Sequence, residues 1–219
     1  MKRYIIFDLD STLVESETII WNKILKEISE YKKEYLETAR YCWKHTSGLD
    51  YRQFLELIFT QVEDVNYMES KVKEILQESH SWISFYPWAI QTVENLSKNY
   101  LLFLSTWNYT SVATDILTRW GILKYFAHVQ WSESIQKSSE HIEIFKDITM
   151  DPDFEKFTLS VGDGETEKEI ARKCGIDFIQ IWPDGHHTHT LPSVADLEKY
   201  LHHFTNTKTV EVDEQNYML

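Results

Sequence analysis

The chain opens on Tyr4-Ile5-Ile6-Phe7-Asp8-Leu9-Asp10-Ser11-Thr12-Leu13, an apolar run that ends abruptly in two carboxylates one residue apart, followed by hydroxyl side chains. A run this apolar reads as a strand covered on both faces, the situation of strands inside a parallel sheet. Side chains alternate along a strand, so Asp8 and Asp10 are expected to leave its carboxyl end toward the same side, where open parallel sheets keep their ligand crevices. Two acids placed together repel. A bound divalent cation would relieve them, as would a division of labour in which one carboxylate attacks and the other carries a proton.

After the opening strand, expected over about residues 3–8, apolar residues recur at helical spacing from about Glu17 to Ile83. Ile19, Ile20, Ile24, Leu25 and Ile28 form one stripe, and Tyr35, Leu36 and Tyr41 begin a second. Phe54, Leu55, Leu57 and Ile58 form a third, and Val72, Ile75 and Leu76 a fourth. The block contains one glycine, Gly48, and no proline, so it predicts a four-helix unit with short turns, inserted as a cap over residues 16–83.

From Pro87 the texture alternates. Helices are expected near 89–98, 111–120, 140–149, 166–174 and 194–204, and strands near 101–104, 127–130, 157–161 and 178–182. Apolar strands alternating with helices predict a doubly wound α/β domain, a Rossmann-like parallel sheet built from residues 1–15 and 84–204. The polar, acidic stretch 205–219 reads as a loosely held tail.

At 219 residues the chain can bury a hydrophobic core without disulfides. Its net charge of −13 argues against nucleic acid as a partner, since a polyanion needs a basic face. Cys42 and Cys174, both in expected helices, read as two buried thiols and make no Cys/His metal framework. There is no signal-peptide pattern and no apolar run of membrane-spanning length, so the expected setting is the cytoplasm, with no membrane and no evident protein partner.

Ligands of such a sheet sit beyond the carboxyl ends of its strands, which makes the residues after each apolar run the informative ones. These are Asp8 and Asp10, then Ser105 and Thr106, then Gly162-Asp163-Gly164, with Lys137 opening the helix before the last of them. Carboxylates from two strand ends can hold a hard cation, and a hydroxyl with an ammonium can hold phosphate oxygens. Taken singly, each has an ordinary reading: a solvated turn, a strand-ending hydroxyl, a surface lysine. Their order gives them weight together.

The chain resembles the haloacid dehalogenase superfamily of hydrolases, in the phosphatase branch with a helical cap after the first strand. Asp8-Leu9-Asp10-Ser11-Thr12 resembles that family's Asp-x-Asp-Gly-Thr motif, and Leu101-Leu102-Phe103-Leu104-Ser105 resembles its strand ending in Ser or Thr. Lys137 before Ser138-Ser139-Glu140 resembles the third motif, and Val161-Gly162-Asp163-Gly164-Glu165-Thr166-Glu167 the fourth. The resemblance implies a Mg²⁺-dependent phosphatase acting on a small phosphorylated metabolite through an aspartyl-phosphate. Asp8 would be the nucleophile and Asp10 the general acid and base. Mg²⁺ would be held by Asp8, the backbone carbonyl of Asp10 and Asp163, with Glu167 at or beyond the edge of its shell. Ser105, competing with Thr106, and Lys137 would bind the phosphoryl group, with Ser105 favoured by register.

Ser11 stands where glycine is usual, as it does in phosphoserine phosphatases, while Trp88 and the missing proline after Lys137 read as packing variation. In the cap, His45-Thr46-Ser47-Gly48-Leu49-Asp50-Tyr51-Arg52 resembles a loop that related enzymes lower over substrate, making Tyr51 and Arg52 candidate substrate contacts. Trp107 and Trp182 could form pocket walls, and Gly185-His186-His187-Thr188-His189 reads as an exposed loop, not the Mg²⁺ site. The alternatives are a phosphoserine-phosphatase-like enzyme, a phosphomutase and, from another class, a phospho-accepting switch or an inactive binding module. Asp10 argues against a dehalogenase, which needs neither that acid nor a metal.

Overall fold

A computed structural model of the chain describes residues 2–206 apart from 47, 48, 50, 80–82, 109, 133, 134, 182–190 and 192. In chain order, β1 (Tyr4–Phe7) and β2 (Val14–Glu15) lead into helices α1 (Glu17–Tyr31), α2 (Leu36–His45), α3 (Tyr51–Ile58) and α4 (Val62–Ser79). The chain returns through β3 (Ser84–Phe85), α5 (Ala89–Leu96), β4 (Leu101–Ser105), α6 (Thr110–Arg119) and β5 (Phe126–Gln130). It continues with α7 (Ser139–Thr149), β6 (Thr158–Gly162), α8 (Glu165–Cys174), β7 (Asp177–Gln180) and α9 (Ala195–Asn206).

The large sheet is parallel, with strand order β5-β4-β1-β6-β7, so the α/β doubly wound expectation holds. β1 is central, paired on both sides, and all four of its residues are buried. Tyr4 and Ile6 join a cluster with Phe103, Phe145 and Phe154 on one face, while Ile5 and Phe7 join the main core on the other. Such two-sided burial is why the strand shows no polar alternation. Phe7 lies opposite Leu104 on one side and Val161 on the other, which sets Asp8 level with Ser105 and Gly162. Register thus delivers three strand ends to one place.

The helical stretch buries Ile20, Ile24, Leu25 and Ile28 from α1, Phe54, Leu55 and Ile58 from α3, and Val65, Met68, Val72, Ile75 and Leu76 from α4. Two members of the expected stripes do not belong: Tyr41 is 65% and Leu57 50% exposed. Ala39 is the buried residue of α2, whose Trp43 stacks on Trp21 of α1. A short antiparallel ribbon joins the two crossings of the chain, with Val14 opposite Phe85 and Glu15 opposite Ser84. Two-residue strands carry no periodicity, so the sequence offers no sign of them.

Smaller corrections concern ends and edges. β1 stops at Phe7 and β7 at Gln180, and α9 reaches Asn206. Trp182, the His186–His189 loop and 207–219 lie outside the described residues. Cys42 and Cys174 are half-buried rather than buried, since one sits on the partly covered α2 and the other in the last turn of α8. Trp88 stacks on Tyr86 at 5.1 Å, a packing role as expected. Among the described residues no helix is long and apolar enough to cross a membrane.

Phe103 tests the sheet's second face most sharply, because it is fully buried and stacks on Phe145 at a centroid distance of 4.7 Å. Phe103→Ala is expected to cost about 3–5 kcal/mol, read as a lower urea midpoint at unchanged slope. A loss below about 1 kcal/mol would contradict this packing.

Candidate active site

The carboxyl ends of β1 and β6 open into a cavity of about 500 Å³ lined by Asp8, Asp10, Asp163 and Glu167. Lys137 lies buried beside it, its Nζ donating to Asp8 Oδ1 at 2.5 Å and also to Glu167 Oε1. Burial is the largest influence on Asp8 and pushes its carboxyl up to about 7. Lys137 opposes that rise, and the nearby charges of Glu167 and Asp10 add to it. Burial also pushes Glu167 upward, but the charge and hydrogen bond of Lys137, with backbone donors, outweigh it and leave Glu167 below its ordinary value. The two carboxylates hold Lys137 firmly protonated despite its burial.

The fourth-motif glycines explain how Glu167 reaches this position. A Cβ at Gly162 would lie 2.8 Å from Glu167 Cγ, and one at Gly164 would collide with the Glu167 carboxylate. The bare position at Gly162 in particular leaves room for the side chain to fold back from the first turn of α8 onto Lys137. Its carboxylate thereby shares the lysine of Asp8.

Asp10 follows the strand end, where the chain turns through Ser11 at φ 55°. That left-handed conformation accounts for the glycine usual at this motif position. Asp10 accepts from Ser16 Oγ at 2.5 Å and from the side-chain amide of Asn108. Neither partner is signalled by a motif, although Asn108 is the polar end of the Ser-Thr-Trp-Asn run that begins on the last residue of β4.

Ser105 and Thr106 are both buried and neither lines the cavity; the next residues, Trp107 and Asn108, do. Ser105 Oγ lies 2.8 Å from His141 Nδ1, while His141 Nε2 lies 3.1 Å from the Ile135 carbonyl oxygen. A carbonyl only accepts, so Nε2 carries the proton and Nδ1 accepts from the serine. Burial pushes the His141 ring down to about 4, so it is neutral near pH 7. The hydrogen of Ser105 is therefore committed to His141, whereas Thr106 Oγ1 accepts from the Asn108 backbone N–H at 3.1 Å. His141 itself was not foreseen, since one histidine on a helix carries no signal in the sequence.

Tyr51, Arg52 and Trp107 all line the cavity. The charge of Arg52, however, is met by Glu69 at 2.5 Å and Glu56 at 3.1 Å. Ser47, Gly48 and Asp50 of the same loop lie outside the described residues.

The donor set suits a hard cation, because the acidic groups at the cavity floor are all oxygen ligands and their negative charge exceeds the one lysine among them. Among the described residues no group of three or more His, Cys, Asp or Glu side chains forms a ready cage.

Residues 5–181 match the family model of haloacid dehalogenase-like hydrolases. A pyrimidine 5′-nucleotidase, PynA, of Streptococcus pneumoniae is 25% identical over 205 residues, covering 84% of this chain and 85% of that one. A Haemophilus somnus protein predicted to be a phosphoglycolate phosphatase superposes with a TM-score of 0.71 at 19% identity, covering 91% of this chain and 98% of the other. A candidate hydrolase of the same superfamily, YfnB of Bacillus subtilis, described as bound to magnesium, gives 0.67 at 18% identity over 94% of this chain and 99% of its own. The structural likenesses bear on the fold, and the family match spans β1 to the end of the sheet, so the chain belongs to the haloacid dehalogenase-like hydrolases.

Proposed function

We propose that this hydrolase is a Mg²⁺-dependent phosphatase that cleaves a small phosphomonoester through an aspartyl-phosphate on Asp8, with residues 16–83 capping a core of 1–15 and 84–204. The observation that carries the reading is the shared ammonium of Lys137, which holds Asp8 against Glu167 at the floor of a cavity that Asp10 also lines. Phosphoryl transfer needs positioning and charge neutralisation above all, and this cluster supplies both.

In the first step an Asp8 oxygen attacks phosphorus and the bond to the leaving oxygen breaks, with Asp10 giving its proton to the departing alcohol. In the second, Asp10 takes a proton from water as that water attacks phosphorus, and the Asp8–phosphorus bond breaks to release phosphate. Lys137 meets a phosphoryl oxygen. Ser105 could donate to another only by giving up His141, while Thr106 keeps its own hydrogen for donation. Asp8, the backbone carbonyl of Asp10 and Asp163 would hold Mg²⁺, which would neutralise charge on the phosphoryl oxygens. Glu167, engaged by Lys137, stays outside that set. The names of the relatives, a 5′-nucleotidase and a predicted phosphoglycolate phosphatase, support a phosphomonoester as substrate.

Asp8→Asn is expected to abolish phosphate release while the fold persists, and acid-quenched wild-type enzyme should carry phosphate on the peptide containing Asp8. Asp10→Asn should lower kcat by about 10²–10⁴-fold. Unchanged steady-state hydrolysis in Asp8→Asn would remove it from the mechanism.

Metal dependence gives a separate check. Chelation should silence the enzyme and Mg²⁺ restore it. Saturating Mg²⁺ should raise the thermal midpoint of the wild type, with about 2.7 kcal/mol expected at a hundredfold excess over Kd, and Asp163→Ala should lose most of that gain. Full activity in excess chelator would refute the metal assignment.

A further inference from the structure

Part of the cavity lining is aromatic. Trp21, Trp43, Tyr51 and Phe54 contribute from the helical stretch, and Trp107 from the loop directly after β4. Trp21 is the centre of the group: Trp43 stacks on it at 5.4 Å and 25°, and Phe54 meets it edge-on at 4.3 Å. Trp107 is 36% exposed, an indole left partly in water in the cavity that Asp8 and Asp10 also line.

The charges on this wall cancel. Arg52 is neutralised by Glu56 and Glu69, and Lys73 also pairs with Glu69 at 3.4 Å. A leaving group bearing a carboxylate or a second phosphate would find no uncommitted cation there among the described residues. A flat π-system would find the partly exposed rings of Trp43, Tyr51 and Trp107, of the kind on which rings stack.

Resting on the phosphatase reading for the phosphate end, we propose that the leaving group is a nucleoside: the substrate is a nucleoside 5′-monophosphate whose base stacks on Trp107 and on the Trp43 side of the aromatic wall. The cavity volume of about 500 Å³ is ample for a ligand of that class. Base–aromatic stacking is worth about 1–3 kcal/mol per base, so one lost partner corresponds to about 5- to 150-fold in kcat/KM.

The test compares phosphate release from uridine 5′-monophosphate, adenosine 5′-monophosphate, glycerol 3-phosphate and phosphoglycolate in the wild type and in Trp107→Leu. At least one nucleotide should exceed both aliphatic esters in kcat/KM by about 100-fold or more, and Trp107→Leu should shrink that ratio by about tenfold. Aliphatic esters that match the nucleotides, or a variant that changes all four in parallel, would overturn the proposal while leaving the phosphatase reading intact. If no ester were hydrolysed, that reading would fail instead. The aromatic site would still be tested by titrating wild-type tryptophan fluorescence with uridine and adenosine, which lack phosphate. Saturable quenching, weakened in Trp107→Leu, supports it, and no quenching at millimolar nucleoside overturns it.

Discussion

A single ammonium buried between two carboxylates, Lys137 between Asp8 and Glu167, is the interaction on which the rest of this site depends. Removing each ion from water costs several kcal/mol, and only close pairing with further hydrogen bonds offsets that. The fold is arranged to supply the pairing. β1 brings Asp8 in from the centre of the sheet, the first turn of α8 brings Glu167 past two bare glycines, and the loop before α7 brings Lys137. His141 ties that loop, through the Ile135 carbonyl, to the end of β4. The balance still leaves excess negative charge. Because folding raises the pKa of Asp8, its contribution to stability is fully present below the unfolded value and is lost as the pH rises through about 7.

Asp10 is held from two directions, by Ser16 at the entrance to α1 and by Asn108 beyond β4. The ribbon of β2 and β3 lies beside the first of these, so the chain's two crossings into the helical stretch run next to the residue proposed to move protons. The cavity lining accordingly mixes two characters. Acids that follow β1 and β6 line it, and so do aromatic side chains that come mainly from helices.

Much of this was legible in the sequence because the strands are covered on both faces, and each apolar run stops at a chemically distinctive residue. Phe7 before Asp8 and Gly162 before Asp163 both mark strand ends in this way. The helical stretch was equally visible from its spacing, yet Tyr41 and Leu57 show that spacing cannot tell a buried stripe from its exposed margin. What stayed hidden is direction. Motif order places Ser105 and Glu167 along the chain but does not say that one hydroxyl turns to His141 or that one carboxylate folds back to Lys137. β2 and β3 were illegible for a related reason, since two-residue strands exist only through the partner that tertiary structure brings alongside.

The central claim, that Asp8 is a carboxylate whose pKa burial raises and Lys137 holds back, is tested most directly by a ¹³C NMR titration of metal-free protein labelled at the aspartate carboxyls, with Asp8→Asn assigning the resonance. Asp8 should titrate near pH 7 in the wild type and at a higher pH in Lys137→Met. An Asp8 signal that titrates near the ordinary value of about 3.9 and ignores the loss of Lys137 would contradict the account.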